Sequence, residues 1–421
     1  MREAFMSGFV PDVLRMLRDA QKMRTAALWL VVAALSYTAV LCFVHTHVTA
    51  VTNAQMAIAD GAIVLGALGL AFLAPQRALW ILLLALAVNF LLVVLVSEEF
   101  NLKAVRDPLV LIAFAALGMI WGNARLARRA FIVASAIVVP IGLFELLAPA
   151  LFQQVFDVLG FYMGRGVITA EQAQYQSSSF FVSGERADGR FLTSFLGGHR
   201  VSSVFLEPVS MGNFGALAAA FALSLGRAHW RLALGLGAVA LFAILAADAR
   251  FAAGVLALFL VARLVPIKWT TLALAPLPLL TVIMLIVVSQ FVTEGGDTFP
   301  TRLALSGRLL ADLDAAQLMG FAPGSISTVD SGYAYALTSF GLPLCLALWA
   351  TFVAAPATTA EGKRYKLMLG IYACALLCIS GSSLFALKTA ALGWFAFGAL
   401  ASAAIARKPA PAPHSARTVP V

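Results

Sequence analysis

Three arginines, Arg200, Arg250 and Arg308, and two carboxylates, Glu207 and Asp330, sit where long apolar runs begin or end in the second half of the chain. A guanidinium offers a fixed fork of N–H donors that matches phosphate oxygens two at a time. At the mouth of a membrane span it is costly without a partner or a hydrated cavity. Three of them facing one cavity would clamp a diphosphate. Glu207 and Asp330 each start an apolar segment, so one role is to cap a helix and meet its positive end. The other is to take a proton from an attacking hydroxyl. His199 adjoins Arg200, and Ser331 and Tyr333 follow Asp330, which makes all three candidates for contact with a substrate. Arg165, Arg186, Arg190 and Arg302 lie on the same outer segments, where they either join that site or stay solvated against lipid phosphate. Asp248, two residues before Arg250, reads as its local partner.

The elements that must position these groups are membrane helices. Of 421 residues, 62% are hydrophobic and 12% charged, with mean hydropathy +0.93. A helix needs roughly 20 apolar residues to cross ~30 Å of hydrocarbon. Hydropathy predicts about twelve spans, near 26–47, 56–74, 78–97, 107–124, 130–152, 207–226, 230–248, 250–266, 270–293, 332–355, 366–384 and 387–406. The fold expected is an all-α integral membrane protein. Nineteen of the 29 Lys and Arg residues fall on segments that are cytoplasmic if the N-terminus is inside. The positive-inside rule therefore puts both termini in the cytoplasm. Residues 1–25 read as a basic amphipathic segment lying on the cytoplasmic surface, 26–407 as the membrane domain and 408–421 as a disordered tail.

On the outer face two segments are long, 153–206 and 292–331. Long loops in a compact protein are functional or disordered. The first opens with LFQQVFDVLGFYMG, whose apolar positions suit a helix in the headgroup region. Other polar residues read as structural. Asn89 and Asp60 are lone polar groups inside spans and suit interhelical hydrogen bonds. Lys388 lies near an outer helix start, where snorkelling is the default. His45 and His47, two apart, do not share a helix face. Cys42, Cys345, Cys374 and Cys378 all fall inside spans, and no His or carboxylate cluster accompanies them, so no metal site is expected. The +9 net charge reflects topology and anionic lipid, with no basic, aromatic-interleaved face for nucleic acid. No P-loop, dinucleotide fingerprint, HExxH or GxSxG motif occurs, which speaks against an ATPase, a dehydrogenase, a zinc protease and a serine hydrolase.

Four pieces of the second half, GHRVSSVFLEPVSMGNF (198–214), DARFAAGVLALFL (248–260), SGRLLADLDAAQLMGFAPGS (306–325) and DSGYAYALTSFGLP (330–343), follow one another in an order and spacing that resemble the Wzy-type bacterial polysaccharide polymerases and the related O-antigen ligases. The likeness covers 198–343; the first half is similar in hydropathy alone. Ligases usually carry His where this chain has Asp330, which favours the polymerase side of the likeness. It implies a cofactor-free glycosyltransferase of the bacterial inner membrane. Its substrates would be undecaprenyl-diphosphate-linked oligosaccharides on the periplasmic face. A flippase and a chain-length regulator are the implied partners. Arg200, Arg250 and Arg308 would grip the diphosphate, Asp330 or Glu207 would act as base, and Tyr333, Tyr175 and Tyr162 would meet sugar. An O-antigen ligase and a lipid-linked oligosaccharide flippase are the competing readings.

Overall fold

The computed structural model describes residues 2–74, 76–169, 184, 189–194, 197–292, 298–328 and 330–405, without side-chain placement at 2–18 and 403–405. Among the described residues the secondary structure is helical throughout. The first five helices are α1 (Arg2–His47), α2 (Asn53–Phe72), α3 (Arg77–Ser97), α4 (Leu102–Trp121) and α5 (Ala124–Leu147). Two short helices follow, α6 (Pro149–Val155) and α7 (Val158–Gly164). The second half holds α8 (Pro208–Ser224), α9 (Trp230–Ala246), α10 (Arg250–Ala262), α11 (Thr270–Leu274), α12 (Leu277–Phe291), α13 (Phe299–Ala311), α14 (Ala315–Leu318), α15 (Gly332–Ala354), α16 (Ala360–Leu377) and α17 (Leu387–Ile405). Seven stretches of described residues are long and apolar enough to cross a membrane: Asp19–His47, Asn53–Phe72, Arg77–Ser97, Leu102–Trp121, Ala124–Leu147, Arg227–Ala246 and Gly332–Ala354.

Several expected elements take another form. The basic start of the chain is continuous with the first apolar stretch in α1, which runs unbroken from Arg2 to His47. The segment expected at 250–266 is the 13-residue α10, which bends by 113° into the next helical piece, Ile267–Leu274. At 1.5 Å per residue α10 reaches only about 20 Å. The window at 270–293 is broken between α11 and α12. Residues 298–311, expected within a long loop, are largely helical, and α13 packs back on α12 as a hairpin. LFQQVFDVLGFYMG forms α6 and α7, and both bury Phe (Phe152 and Phe161) against α1 instead of lying free. The tail from 408 lies outside the described residues, as do Arg186 and Tyr175.

Loops that hydropathy assigns to one side meet one another. Arg128 contacts His229, and the Gly226 N–H donates to Glu361. At the opposite end His47 bonds the Val155 carbonyl, Arg165 bonds Asn53, and Tyr162 bonds Glu207.

Helix α17 lies deepest against α4, and glycine permits the approach. A Cβ on Gly118 would sit 2.2 Å from the Phe395 carbonyl oxygen, and one on Gly398 would sit 2.0 Å from that of Ala115. Small residues at such crossings let backbones meet and make dispersion the main attraction in lipid. A second close contact holds the kink of α15. Gly341 there has φ 76° and ψ 153°, and a Cβ on it would fall 2.4 Å from the Met319 carbonyl oxygen.

Gly398→Leu must force α4 and α17 apart and is expected to abolish recovery of monodisperse protein in detergent. Gly254→Ala, where a Cβ meets nothing within 4 Å, is expected to leave the melting temperature equal or slightly higher, because Ala is the better helix former by roughly 0.5–1 kcal/mol. Size-exclusion profiles and melting curves of the two variants check this.

Candidate functional site

Arg200, Arg190 and Arg250 gather around one turn, the end of α9. Helix C-termini leave backbone carbonyls without intrahelical partners. Arg190 donates to the carbonyls of Leu245 (2.5 Å) and Ala246 (2.7 Å) and to that of His199 (2.9 Å). Nε of the buried Arg200 donates to the Ala247 carbonyl at 2.9 Å. Thr193 and the Val201 N–H complete the cap on Leu245 and Ala246. Cations suit this negative end of the helix dipole. Asp248 follows in a left-handed conformation (φ 47°), and its Oδ1 accepts the N–H groups of Phe191 and Leu192 at 3.0 and 2.7 Å. Arg250, its expected partner, stands 4.0 Å from Oδ2 and stacks over the Phe191 ring. Burial lowers the Arg190 pKa, and the Asp248 carboxylate opposes that shift.

Arg308 belongs elsewhere. It lies in the last turn of α13 and donates to the Val292 carbonyl at 3.3 Å. Asp330 is the ion-pair partner of Arg302 at 3.4 Å, while Ser331 takes the N-cap of α15 by accepting from the Ala334 N–H. Tyr333 is buried and shares a hydrogen bond with Thr281 at 2.5 Å. His199 donates to Glu145 Oε1 at 3.0 Å.

Glu145 went unnoticed in the sequence because it sits near the end of an apolar run. Fully buried, it accepts both N–H groups of Ser202 and Ser203, the Ser202 hydroxyl and His199. This fixes a strained entry to α8. Ser203 (φ 52°) and Leu206 (φ 57°) both adopt left-handed backbone, which is uncommon for residues with a Cβ. The turn delivers Glu207 to the head of α8. Glu207 occupies the N-cap position yet makes no capping hydrogen bond. Its Oε2 instead accepts from Lys388 Nζ (2.6 Å) and the Ser210 hydroxyl (2.9 Å), and its Oε1 from Tyr162 (3.0 Å). Burial, and next to it the Glu207 carboxylate, push the Tyr162 phenol well above its usual range, so the phenol stays a donor.

Glu207 lines a cavity of about 700 Å³. Its walls come from α1 (Tyr37, Thr38), α2 (Asn53 to Leu65), α4 (Leu102 to Leu109), α7 and its exit (Tyr162, Arg165, Val167), and the approach to α17 (Ser382 to Lys388). Four cations line it, Lys103, Arg106, Arg165 and Lys388, with two carboxylates, Asp60 and Glu207. Arg200, Arg250 and Arg308 are not among its lining residues. The three arginines expected to form a clamp stand instead at the end of α9 (Arg200 and Arg250) and on the α12–α13 hairpin (Arg308). Asp330, His199, Tyr333, Ser331 and Arg190 also lie off this cavity. Of the residues singled out for chemistry, Glu207, Tyr162 and Arg165 reach it.

Arg106 Nη1 donates to Asp107 Oδ1 at 2.9 Å, and its Nη2 meets Asp60 Oδ2. Asp107 is fully buried and accepts from Tyr335 on α15 at 2.7 Å, and Lys103 stands over the Tyr335 ring. Asn89 bonds the Phe340 carbonyl, the interhelical role its position in a span suggests. The cavity wall thus combines four cations with two carboxylates, the Tyr37 and Tyr162 phenols and the Asn53 amide.

Glu145→Ala is expected to leave the Ser202 and Ser203 N–H groups buried and unpaired, at about 1–3 kcal/mol each. The melting temperature should drop, and hydrogen exchange should rise over 199–206 while α17 keeps its protection. Unchanged exchange there would remove Glu145 as the pin. Protein families, characterised proteins and solved structures were all compared with the chain, and none matches it.

Proposed function

We propose that the chain is a polytopic glycosyltransferase of the bacterial inner membrane that polymerises undecaprenyl-diphosphate-linked oligosaccharides at the periplasmic face. In this reading it crosses the membrane about twelve times, has both termini in the cytoplasm, and works beside a flippase and a chain-length regulator. The observation that carries the reading is the cation-lined cavity with Glu207 on its wall. It lies at the end of the bundle where α1 finishes and α2 and α4 begin. The positive-inside assignment puts that end outside.

The chemistry follows from the charges. The bond between the donor sugar's anomeric carbon and the diphosphate breaks, and the lipid diphosphate leaves with the electron pair. An acceptor sugar hydroxyl forms the new glycosidic bond, and its proton passes to Glu207. Lys388, Arg165, Lys103 and Arg106 stabilise the negative charge that grows on the leaving diphosphate. Donors aimed at developing charge in a water-poor site usually contribute the largest single part of a rate enhancement. Tyr162 and Ser210 hold the Glu207 carboxylate in place.

One observation favours a second reading. The cavity draws charges from both halves of the chain, Asp60 and Arg106 from one and Glu207 and Lys388 from the other. Charged residues lining a route from both halves also suit a transporter of the same lipid-linked oligosaccharide. Against this, the sequence carries no fixed-period repeat or inverted repeat.

Reconstitution into vesicles with lipid-linked repeat units separates the two. Polymer without transbilayer movement of the substrate supports the polymerase, and movement without polymer supports the transporter. In the polymerase assay Lys388→Ala and Arg165→Ala are each expected to lower the rate ~10²–10³-fold, by analogy with loss of one oxyanion donor. Arg250→Ala and Arg308→Ala should stay within a few-fold of the unaltered chain. The reverse pattern would move the site out of the cavity to the outer loops.

A further inference from the structure

Arg106 is held from two sides of unequal character. Behind it, Asp107 is fully buried and fixed by Tyr335 across 228 residues of sequence, so the Nη1 side of the guanidinium is anchored in the protein. In front of it, Asp60 meets Nη2 from a different helix, and both Asp60 and Arg106 line the cavity. Lys103 and Arg106 are balanced here by Asp107 and Asp60. Of the two carboxylates Asp107 is buried behind the wall, whereas Asp60, which also meets Tyr37, lines the cavity on the side where a ligand's anion would bind.

We infer that Asp60 is a built-in placeholder for the substrate's phosphate: without substrate it takes the cavity-facing side of Arg106, and a diphosphate entering the cavity displaces it. The inference rests on the diphosphate reading of the cavity and adds to it a binding residue, Arg106, and a competitor, Asp60. Its physical logic is a balance of two costs. An arginine facing an empty cavity at membrane depth is expensive unless paired. A permanent, fully engaged pair would refuse the ligand. A partner shared with Asp107 keeps the arginine neutralised in both states and leaves its outer donors exchangeable. A planar fork suits this, since one side stays fixed while the other binds a phosphate oxygen. Asp107 is then a positioning residue, which aims Arg106 without touching the ligand.

The test is binding to the full-length chain in nanodiscs, measured by calorimetry with two probes, inorganic pyrophosphate and undecaprenyl diphosphate. Asp60→Asn removes the competitor while leaving Asp107 on Arg106. It is expected to tighten binding of whichever probe the unaltered chain takes by about tenfold, the equivalent of about 1.4 kcal/mol. Arg106→Gln should weaken it at least thirtyfold. Asp107→Asn should weaken it less, and its melting curve is measured alongside to separate loss of aim from loss of fold. Binding of both probes makes the diphosphate alone sufficient, whereas binding of the lipid probe only adds the carrier chain to the recognition. Equal or weaker binding by Asp60→Asn overturns the placeholder role. If Lys388→Ala and Arg165→Ala lose binding while the Asp60 and Arg106 variants behave as the unaltered chain, the inference falls and the cavity reading stands. If the unaltered chain binds neither probe, both fall.

Discussion

A charge in hydrocarbon lacks the water that would solvate it, so each charged group at membrane depth must find its partner within the protein. This requirement ties together helices that are far apart in sequence. Glu207 and Lys388, separated by 181 residues, join the head of α8 to the head of α17. Asp60 and Arg106, separated by 46 residues, join α2 to α4. Both pairs line the same cavity, at the heads of α4 and α17, and further along the same two helices Gly118 and Gly398 let the backbones meet. Charge pairing at one end and small-residue packing along the crossing thus join the same two helices.

Not every cation of residues 165–308 faces that cavity, and the end of α9 explains why for Arg190 and Arg200. A helix that stops within the protein leaves carbonyls facing inward, and Arg190, Arg200, Thr193 and the Val201 N–H answer those of Leu245, Ala246 and Ala247. Asp248 turns the chain with a left-handed backbone and holds the bend at Phe191 and Leu192 by their two N–H groups. Glu145 repeats the device, gripping Ser202 and Ser203. These two buried carboxylates hold residues 191–192 and 202–203, and Ser203 and Leu206 keep conformations that non-glycine residues seldom adopt. Arginine at a helix mouth is here a structural group as readily as a ligand-binding one.

This is also where reading the sequence reached its limit. Hydropathy located the helices because the apolar period and length are local properties. It did not reveal the bend after α10, since a window average carries no direction, and it took α13 for loop because an amphipathic helix of mixed polarity resembles one. Glu207 was legible as a candidate, a carboxylate before a proline at an apolar boundary. Its partner was not, because Lys388 lies at another helix head and looks by itself like a snorkelling residue. Asp60 was legible as a polar group inside a span, but whether it met a backbone amide or Arg106 depended on how α2 and α4 are rotated. Glu145 was hidden altogether, since a lone acid near the end of an apolar run carries no local sign of the four groups that converge on it.

The motifs behind the likeness to polysaccharide polymerases span 198–343, whereas the cavity takes Tyr37, Asp60 and Arg106 from before them and Lys388 from after. The two observations fit together if short motifs mark places where the backbone has little choice. Residues 198–208 must negotiate two left-handed turns and deliver a carboxylate, and 248–250 must end one helix and start another within three residues. Such positions tolerate few residue types, so they stand out in a sequence. A cavity wall built from ordinary helix faces makes no comparable demand on its backbone. Its cations can come from any helix that presents one at the right depth. The recognisable segments then frame the site, and most of the groups that would touch a substrate come from helices with no motif at all.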